Sequence, residues 1–331
     1  MAPCSHERAQ DHFDHSMIKT PVAFIVFNRP RYTREAFEAI RAVQPTELFL
    51  IADGPRASHP NDQALCDEVK KIVEQVDWPC TVHKNYASEN LGLKGRVTTG
   101  LDDVFSKVER AIVLEDDCVT HPDFFSYCEC LLEQYAHDER VWVISGDNHQ
   151  HGQPRGDASY YFSKYADCWG WATWRRAWQH NQGNIPFWND WKDTAAWKKL
   201  NPDKNERAYW EDIFTRVHSN AIHSSWFYPW LACVWFHGGV TATSNVNLVS
   251  NIGIGPHATH TITETEQPGA PVRALGVIKH PAAVEVNTVA DRYAYNHRYE
   301  GLSRRFPRNL RPIPRRIAGN LYRYVRRKFG I

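Results

Sequence analysis

The stretch Ala111-Ile-Val-Leu-Glu-Asp-Asp117 carries the strongest indication of both the fold and the site. Residues 111–114 form a short apolar run, which is typical of a strand that is covered on both faces of a sheet. Three acids, Glu115, Asp116 and Asp117, follow it directly. Because burying unpaired charges is prohibitively costly, we expect these carboxylates at the rim of the sheet rather than inside the core.

Similar apolar runs recur along the first half of the chain and alternate with segments of helical periodicity. We predict strands at 22–27, 48–52, 80–83, 111–114 and 141–145, and helices at 33–43, 62–76, 93–108 and 124–135. This alternation predicts an α/β fold with a mostly parallel central sheet and helices on both faces. Ligands bind beyond the carboxyl ends of the strands in such sheets. Asn28, Asp53, Glu115 and Asp147 all fall just past a predicted strand.

The chain divides by composition into four parts. Residues 1–20 form a polar tail, 21–150 an α/β half that binds a nucleotide, 151–265 an aromatic, loop-rich half, and 266–331 an extension. The extension ends in a stretch, 303–331, that carries ten Lys and Arg residues and no Asp or Glu. From Pro314 onward this stretch has the pattern of a basic amphipathic helix, so an anionic membrane surface is a predicted partner.

Composition limits the classes of function. The formal net charge is +1, which argues against a general polyanion binder, and we expect no specific nucleic-acid partner. The eight cysteines match no zinc or redox spacing, and neither a signal peptide nor a run of about 20 apolar residues is evident. We therefore expect a cytoplasmic protein with reduced thiols, peripheral on the cytoplasmic face of a membrane if the basic stretch binds lipid.

The acid triplet predicts a site for a divalent cation. Neighbouring carboxylates raise one another's pKa unless a cation neutralises them, and Mn²⁺ or Mg²⁺ prefers such oxygen ligands. A cation held there can bridge to a diphosphate and stabilise the charge of a departing nucleotide. The alternative is an acidic turn that is exposed to solvent. The position of the three acids directly after a central strand favours a metal site over this alternative.

Four other residues are candidates for binding a nucleotide donor. Asp53 can accept hydrogen bonds from a nucleobase or a ribose, although it also suits a turn. Arg29 follows the first strand and has the shape to bind a phosphate. Lys94 and Arg96 lie in a Gly-containing helix start, which favours anions.

The catalytic base is the least certain assignment. Glu211 and Asp212 lie among aromatics in Tyr209-Trp-Glu-Asp212, where a carboxylate in a partly dry pocket can remove a proton from a hydroxyl. Asp190 and Asp147 are alternatives.

Two further features complete the candidate site. His260, and less strongly His257, lie in a Gly/Pro-containing loop that can bring a histidine to a metal or phosphate. In the Trp-rich half, Trp169-Gly-Trp171 is the best candidate for lining a sugar site, since an indole offers a flat apolar face.

Together these motifs resemble a known group of enzymes. Phe27-Asn-Arg-Pro30, Ala52-Asp-Gly-Pro55, Glu115-Asp-Asp117 with His121-Pro-Asp-Phe-Phe125, and Gly146-Asp-Asn148 are similar to motifs of glycosyltransferases with the A-type, nucleotide-diphospho-sugar transferase fold. Bacterial glycosyltransferase-2-like sugar transferases and, more distantly, N-acetylglucosaminyltransferase I are the relatives. The resemblance covers about residues 20–262.

The resemblance implies an inverting, metal-dependent transfer of a sugar from a nucleotide-diphosphate donor to a hydroxyl of a glycan or glycolipid acceptor, as in polysaccharide biosynthesis. It implies that Asp117 binds Mn²⁺ or Mg²⁺, and the loop argument adds His260 as a further candidate ligand. Arg29, Asp53, Lys94, Arg96, Glu115, Asp116 and Trp171 would contact the donor, and Glu211, with Asp212 beside it, would be the base. A sugar nucleotidyltransferase and a non-catalytic glycan-binding protein on the same fold remain alternatives.

Overall fold

The computed structural model describes residues 17–253, 270–299 and 301–305. One eight-stranded sheet forms its centre, in the order β3-β2-β1-β4-β8-β6-β9-β7. The strands are β1 (Val22–Val26), β2 (Glu47–Ala52), β3 (Thr81–Tyr86), β4 (Arg110–Glu115), β6 (Val141–Ser145), β7 (Tyr160–Ser163), β8 (Trp171–Trp174) and β9 (Val240–Ser244). A separate two-stranded antiparallel ribbon joins β5 (Cys118–Thr120) to β10 (Val249–Asn251).

Ten helices cover the sheet or connect its strands within the described ranges. They are α1 (Pro30–Val43), α2 (Asp62–Val73), α3 (Gly92–Lys107), α4 (Asp123–Gln134), α5 (Arg175–Trp178), α6 (Trp188–Trp191), α7 (Ala195–Leu200), α8 (Lys204–His218), α9 (Phe227–Phe236) and α10 (Thr288–His297). None of them is both long and apolar enough to cross a bilayer.

The sheet is mostly parallel, as the sequence predicts. β1, β2, β3 and β4 pair in parallel, and so do β6 and β9. β8 runs antiparallel to both β4 and β6, and β7 antiparallel to β9. The carboxyl ends of six strands therefore meet at one edge, and the acid triplet lies at that edge.

Both faces of the sheet are packed, which explains the continuous apolar runs. All five residues of β1 and the four central residues of β4 are buried, and side chains from these strands enter two separate hydrophobic clusters. One cluster contains most of the tryptophans, including Trp171, Trp188, Trp197, Trp210 and Trp230, together with helices α8 and α9. Most of the Trp-rich half is therefore core.

The two halves predicted at 21–150 and 151–265 share this sheet. β7, β8 and β9 come from the second half, and β8 inserts between β4 and β6 of the first. The predicted tail also ends earlier than residue 20: Ile18 is buried, and its carbonyl accepts a hydrogen bond from the backbone N–H of Thr46 at 2.9 Å.

Candidate functional site

The first strand delivers an arginine to the acid triplet. Ile25 of β1 lies opposite Glu115 of β4, so the residues that follow the two strands are neighbours. The guanidinium of Arg29 forms an ion pair with Asp116 and, through Nη1, a second one with Asp117 Oδ2 at 3.0 Å. The backbone N–H of Phe27 lies 3.4 Å from Asp116 Oδ2. The structure therefore places Arg29 beside the triplet, at the edge of the sheet where the sequence predicts it.

The charges at this edge are only partly balanced. Burial opposes the charge of Arg29, but attraction to Asp116 and Asp117 outweighs it and raises the pKa of the guanidinium above its usual value. Burial, followed by repulsion from Asp117 and Asp116, raises the pKa of Glu115 to about 8. Three carboxyl groups thus share one guanidinium, and a further cation would relieve the remaining repulsion.

The β5–β10 ribbon packs against the last acid of the triplet. The backbone N–H of Ile252 donates to the Asp117 carbonyl at 2.9 Å. A Cβ placed on Gly253 would lie 2.3 Å from Asp117 Oδ2, so only glycine leaves this carboxylate where it is. Asp117 retains 13% exposure of its side chain, whereas Asp116 retains 4%. Asp117 is therefore the more accessible of these two carboxylates to a cation, in line with its predicted role.

Asp53 is buried and organises the turn after β2. Its Oδ1 accepts hydrogen bonds from the backbone N–H groups of Gly54 and Leu91, both at 2.9 Å, and its Oδ2 accepts one from the Asn90 side chain at 2.9 Å. These bonds fix the start of α3 beside β2. Asp53 therefore has the role in a turn that the sequence also allows. Its contact with a nucleobase stays a prediction.

Lys94 and Arg96 lie in the first turns of α3, as predicted. Burial lowers the pKa of Lys94. Arg96 is buried and donates from Nη2 to Asn85 Oδ1 at 2.8 Å, while its Nε has no hydrogen-bond partner among the described residues. Their contact with a donor stays a prediction.

Trp171 is 1% exposed and stacks on Trp226, with ring centroids 5.6 Å apart. Trp226 in turn lies near the Glu115 carboxyl group and slightly opposes the rise of its pKa. The indole of Trp171 therefore has no open face for a donor, and its position supports an indirect role through Trp226. The flanking Trp169 is only half-buried.

The structure does not bring Glu211 and Asp212 to the triplet. Glu211 accepts from Trp197 Nε1 at 2.9 Å, and Trp197 packs near Trp235, close to the end of α9. Within the described residues, no hydrogen bond or ion pair joins Glu211 or Asp212 to the triplet.

Asp212 is exposed and Glu211 is half-buried, and each faces an arginine one turn away along the helix. Glu211 lies 3.9 Å from Arg207 and Asp212 lies 3.6 Å from Arg216. Asp190, in α6, is exposed as well. A role for Glu211 or Asp212 as base stays a prediction that this geometry does not support.

Asp147, the remaining alternative, belongs to a buried cluster. Ser145 donates to its Oδ1 at 2.8 Å, and its Oδ2 lies 3.2 Å from His149 Nε2. Arg298, from just after α10, forms an ion pair with Asp167 and lies 3.8 Å from Asp147. Burial raises the pKa of Asp147 to about 6, although attraction to Arg298 opposes this shift, and burial lowers the pKa of His149 to about 3.

The same cluster has metal-ligand character. Single ligand atoms of Asp147, His149 and Asp167 lie within 4.8 Å of one another. Arg298 already supplies a positive charge to both carboxylates, and attraction to Asp167 overcomes burial to raise the pKa of its guanidinium. A divalent ion here would have to displace that guanidinium.

Sequence reasoning identified Asp147 but missed its partners. Asp167 lies two residues before the Trp169-Gly-Trp171 element, which is a signal that could have been used. Arg298 comes from the extension, 131 residues after Asp167, and nothing local marks it. His257, His260 and the basic segment from Arg308 onward lie outside the described residues.

Comparisons with known proteins place the chain in a family. An alpha-1,3-mannosyl-glycoprotein 2-beta-N-acetylglucosaminyltransferase from Arabidopsis thaliana is 32% identical over 97 residues, which cover 28% of this chain and 22% of that protein. Among solved structures, a UDP-glucose pyrophosphorylase complexed with UDP-glucose overlaps 49% of this chain and 78% of its own, at 10% identity and a TM-score of 0.31, which is too slight to bear on function. The model of the GNT-I family matches residues 8–201, more than half of the 331 residues, and the chain therefore belongs to the GNT-I family.

Proposed function

We propose that this protein is a glycosyltransferase that moves a sugar from a nucleotide-diphosphate donor to a hydroxyl of a glycan or glycolipid acceptor, with inversion at the anomeric carbon. The observation that carries the proposal is the cluster of Glu115, Asp116 and Asp117 with Arg29, at the carboxyl edge of a sheet in a chain of the GNT-I family. The Arabidopsis relative, a sugar transferase by name, supports the same reaction class.

The donor set fits a hard divalent cation, Mn²⁺ or Mg²⁺. The triplet offers carboxylate oxygens, and one guanidinium leaves its charge incompletely neutralised. When bound, such a cation supplies a Lewis acid for the diphosphate of the donor. Asp117 would be the principal ligand. His260 is the further ligand that the sequence suggests.

The protein's own groups have separate tasks. Arg29 holds Asp116 and directs part of its positive charge toward the phosphates, where charge develops as the nucleotide departs. Asp53 ties the turn after β2 to the start of α3, so that Lys94 lies at the same edge of the sheet. A carboxylate on the acceptor side removes the proton of the attacking hydroxyl, as in inverting glycosidases, where water takes the acceptor's place.

A thermal-shift screen of nucleotide sugars tests the proposal. At one hundred times its dissociation constant a ligand stabilises by about 2.7 kcal/mol, which raises the melting temperature of a chain of this size by about 4 °C. We expect at least one UDP-, GDP- or dTDP-sugar to do so with Mn²⁺ and not with EDTA. If none of these donors shifts the melting temperature with Mn²⁺, the proposal fails.

Gly253→Ala should weaken the response to Mn²⁺ although it replaces no ligand. The added Cβ would lie 2.3 Å from Asp117 Oδ2 and force that carboxylate to turn. Losing the neighbours that hold a metal ligand in place typically costs about 10- to 100-fold in metal affinity, which isothermal titration with Mn²⁺ and UDP would measure.

Gly239→Ala is the matched control for this change. Its Cβ would lie 2.5 Å from Trp142 Cγ, next to Val240 at the amino end of β9 and thus at the opposite edge of the sheet. It should lower the melting temperature and leave the affinity for Mn²⁺ unchanged. Equal losses of affinity in both variants would show that Gly253 acts only through stability.

The basic stretch remains a proposed membrane contact. Ten cations without an acid in residues 303–331 suit an anionic bilayer surface, on which a lipid-linked acceptor would lie. A cytoplasmic protein, peripheral on that surface, is the location that we propose with it. Sedimentation with phosphatidylserine vesicles at rising salt, with and without residues 306–331, tests this contact.

A further inference from the structure

A polar cavity opens beside Asp147 and is not used by the donor residues described above. Its walls come from the end of β6, the segment before β8, and the ribbon strand β10. The lining residues combine a carboxylate, amides, imidazoles and an indole: Asp147, Asn148, His149, His151, Trp169, Asn247, Val249, Asn251 and Ala270. The cavity has a volume of about 40 Å³, which admits the hydroxyl-bearing edge of a sugar rather than a whole ring. Carboxylates and amides bind such hydroxyls, and the indole of Trp169 offers an apolar face beside them.

This cavity adjoins the triplet along two independent connections. Asn251, in its wall, pairs with Cys118 in the β5–β10 ribbon, directly after Asp117. On the other side, Cys168 lies near enough to Glu115 and Asp147 that, after burial, both carboxylates raise the pKa of its thiol. A sugar on a donor held at the triplet and a hydroxyl in this cavity would thus lie at the same edge of the sheet.

Asp147 is the acid of this cavity that can act on a hydroxyl. Its Oδ1 is fixed by Ser145, its Oδ2 faces His149, and Asp167 and Arg298 pack behind it. Arg298 also lies over the Trp169 ring, 5.4 Å from its centroid, and so helps to fix the cavity wall. A buried carboxylate whose pKa lies near neutrality suits a general base.

We propose that this cavity is the acceptor-sugar subsite and that Asp147 is the base of the transfer. The inference rests on the glycosyltransferase function proposed above. The Asp147 carboxylate takes the proton of the acceptor hydroxyl, and the hydroxyl oxygen forms a bond to the anomeric carbon. The bond from that carbon to the diphosphate breaks, and its electron pair leaves with the nucleoside diphosphate. Arg298 is a positioning residue that holds Asp147 and Asp167 from the side of α10.

The experiment compares Asp147→Asn with Asp291→Asn. Asp291 is a matched control because it is also buried, also accepts a hydrogen bond from a serine, Ser163, and also has its pKa raised to about 6 by burial. It does not line the cavity. Turnover is measured as release of nucleoside diphosphate from the donor found in the screen, in water alone and with methyl glycosides of glucose, galactose, mannose and N-acetylglucosamine.

We expect Asp147→Asn to lower turnover by at least about 100-fold while Mn²⁺-dependent binding of the nucleotide stays as in the wild type. Asp291→Asn should keep turnover within a few-fold. Asp147→Ser serves as a second variant, since it removes the carboxylate without adding a buried amide. Trp169→Leu should raise the methyl glycoside concentration that gives half-maximal turnover and leave the reaction with water unchanged.

The possible failures are distinguishable. If nucleotide binding with Mn²⁺ is absent in the wild type, the proposed function falls, and this inference falls with it. If the wild type binds and turns over but Asp147→Asn and Asp147→Ser keep full turnover, only the assignment of the base is overturned. If no methyl glycoside accelerates turnover in the wild type, or if Trp169→Leu responds as the wild type does, the acceptor subsite is overturned.

Discussion

Asp117→Asn is expected to lower metal-dependent turnover by about 10³-fold. A bound cation contributes several kcal/mol to the stabilisation of the leaving diphosphate, and each 1.36 kcal/mol corresponds to a factor of ten in rate. Asparagine keeps the size of the Asp117 side chain but removes its charge. Asp117 is the more exposed of the two carboxylates that pair with Arg29. Steady-state release of nucleoside diphosphate at saturating Mn²⁺ measures the effect.

The control for this variant is Asp123→Asn, at the start of α4. Asp123 accepts hydrogen bonds from the backbone N–H groups of Leu275 and Gly276 and does not contact the triplet in the described structure. It should retain turnover close to that of the wild type. If Asp117→Asn retained turnover as well, the metal assignment would be wrong, because no neighbouring acid could replace a principal ligand at such small cost.

The second large effect concerns stability. Lys164→Met should lower the free energy of unfolding by about 3–5 kcal/mol, because it leaves Glu206 buried without its counter-charge. The Lys164 Nζ lies 2.6 Å from Glu206 Oε1, and both side chains are less than a tenth exposed. Asn201 Oδ1 accepts a second hydrogen bond from the ammonium group at 2.8 Å. Urea denaturation followed by tryptophan fluorescence measures the change.

Lys279→Met provides the comparison, since Lys279 lies at the same distance, 2.6 Å, from Asp157 but in an exposed pair. Water screens such a pair, and its loss should produce little measurable change. Similar losses in the two variants would mean that burial does not decide the contribution of the Lys164 pair.

Much of the fold was predictable because the first half of the chain has simple local patterns. Residues 22–26 and 111–114 are continuous apolar runs because both faces of the central strands are covered. The helices after them have clear periodicity, so their order follows from the sequence alone. The position of Arg29 at the same edge of the sheet as the triplet was also predictable, because adjacent parallel strands end at the same edge.

The second half was harder to predict for a physical reason. β7 and β8 each have only four residues, and Trp171–Trp174 has the composition of a core segment with no distinctive period. Nothing local indicates that β8 inserts between β4 and β6. The partners of Asp147 depend on the same long-range packing: Arg298 reaches the cluster only because α10 docks beside β7.

The expectation that Glu211 lies in a partly dry pocket fails for a related reason. Tyr209-Trp-Glu-Asp212 places acids among aromatics in the sequence, but helix periodicity separates them in space. Trp210 is fully buried, while Glu211 and Asp212, the next two residues, face solvent and the arginines of α8. Proximity in sequence to buried aromatics therefore does not indicate a dry pocket on a helix.

Binding of Mn²⁺, measured by the electron paramagnetic resonance signal of the free ion, tests the central claim most directly. The titration is run with and without UDP, GDP or dTDP, on the wild type and on Asp117→Asn. If the acids at the edge of the sheet share a cation with a pyrophosphate, one of these nucleotides will tighten Mn²⁺ binding to the wild type, and Asp117→Asn will lose that gain. Binding that is the same in both proteins, or that no nucleoside diphosphate strengthens, would contradict the account.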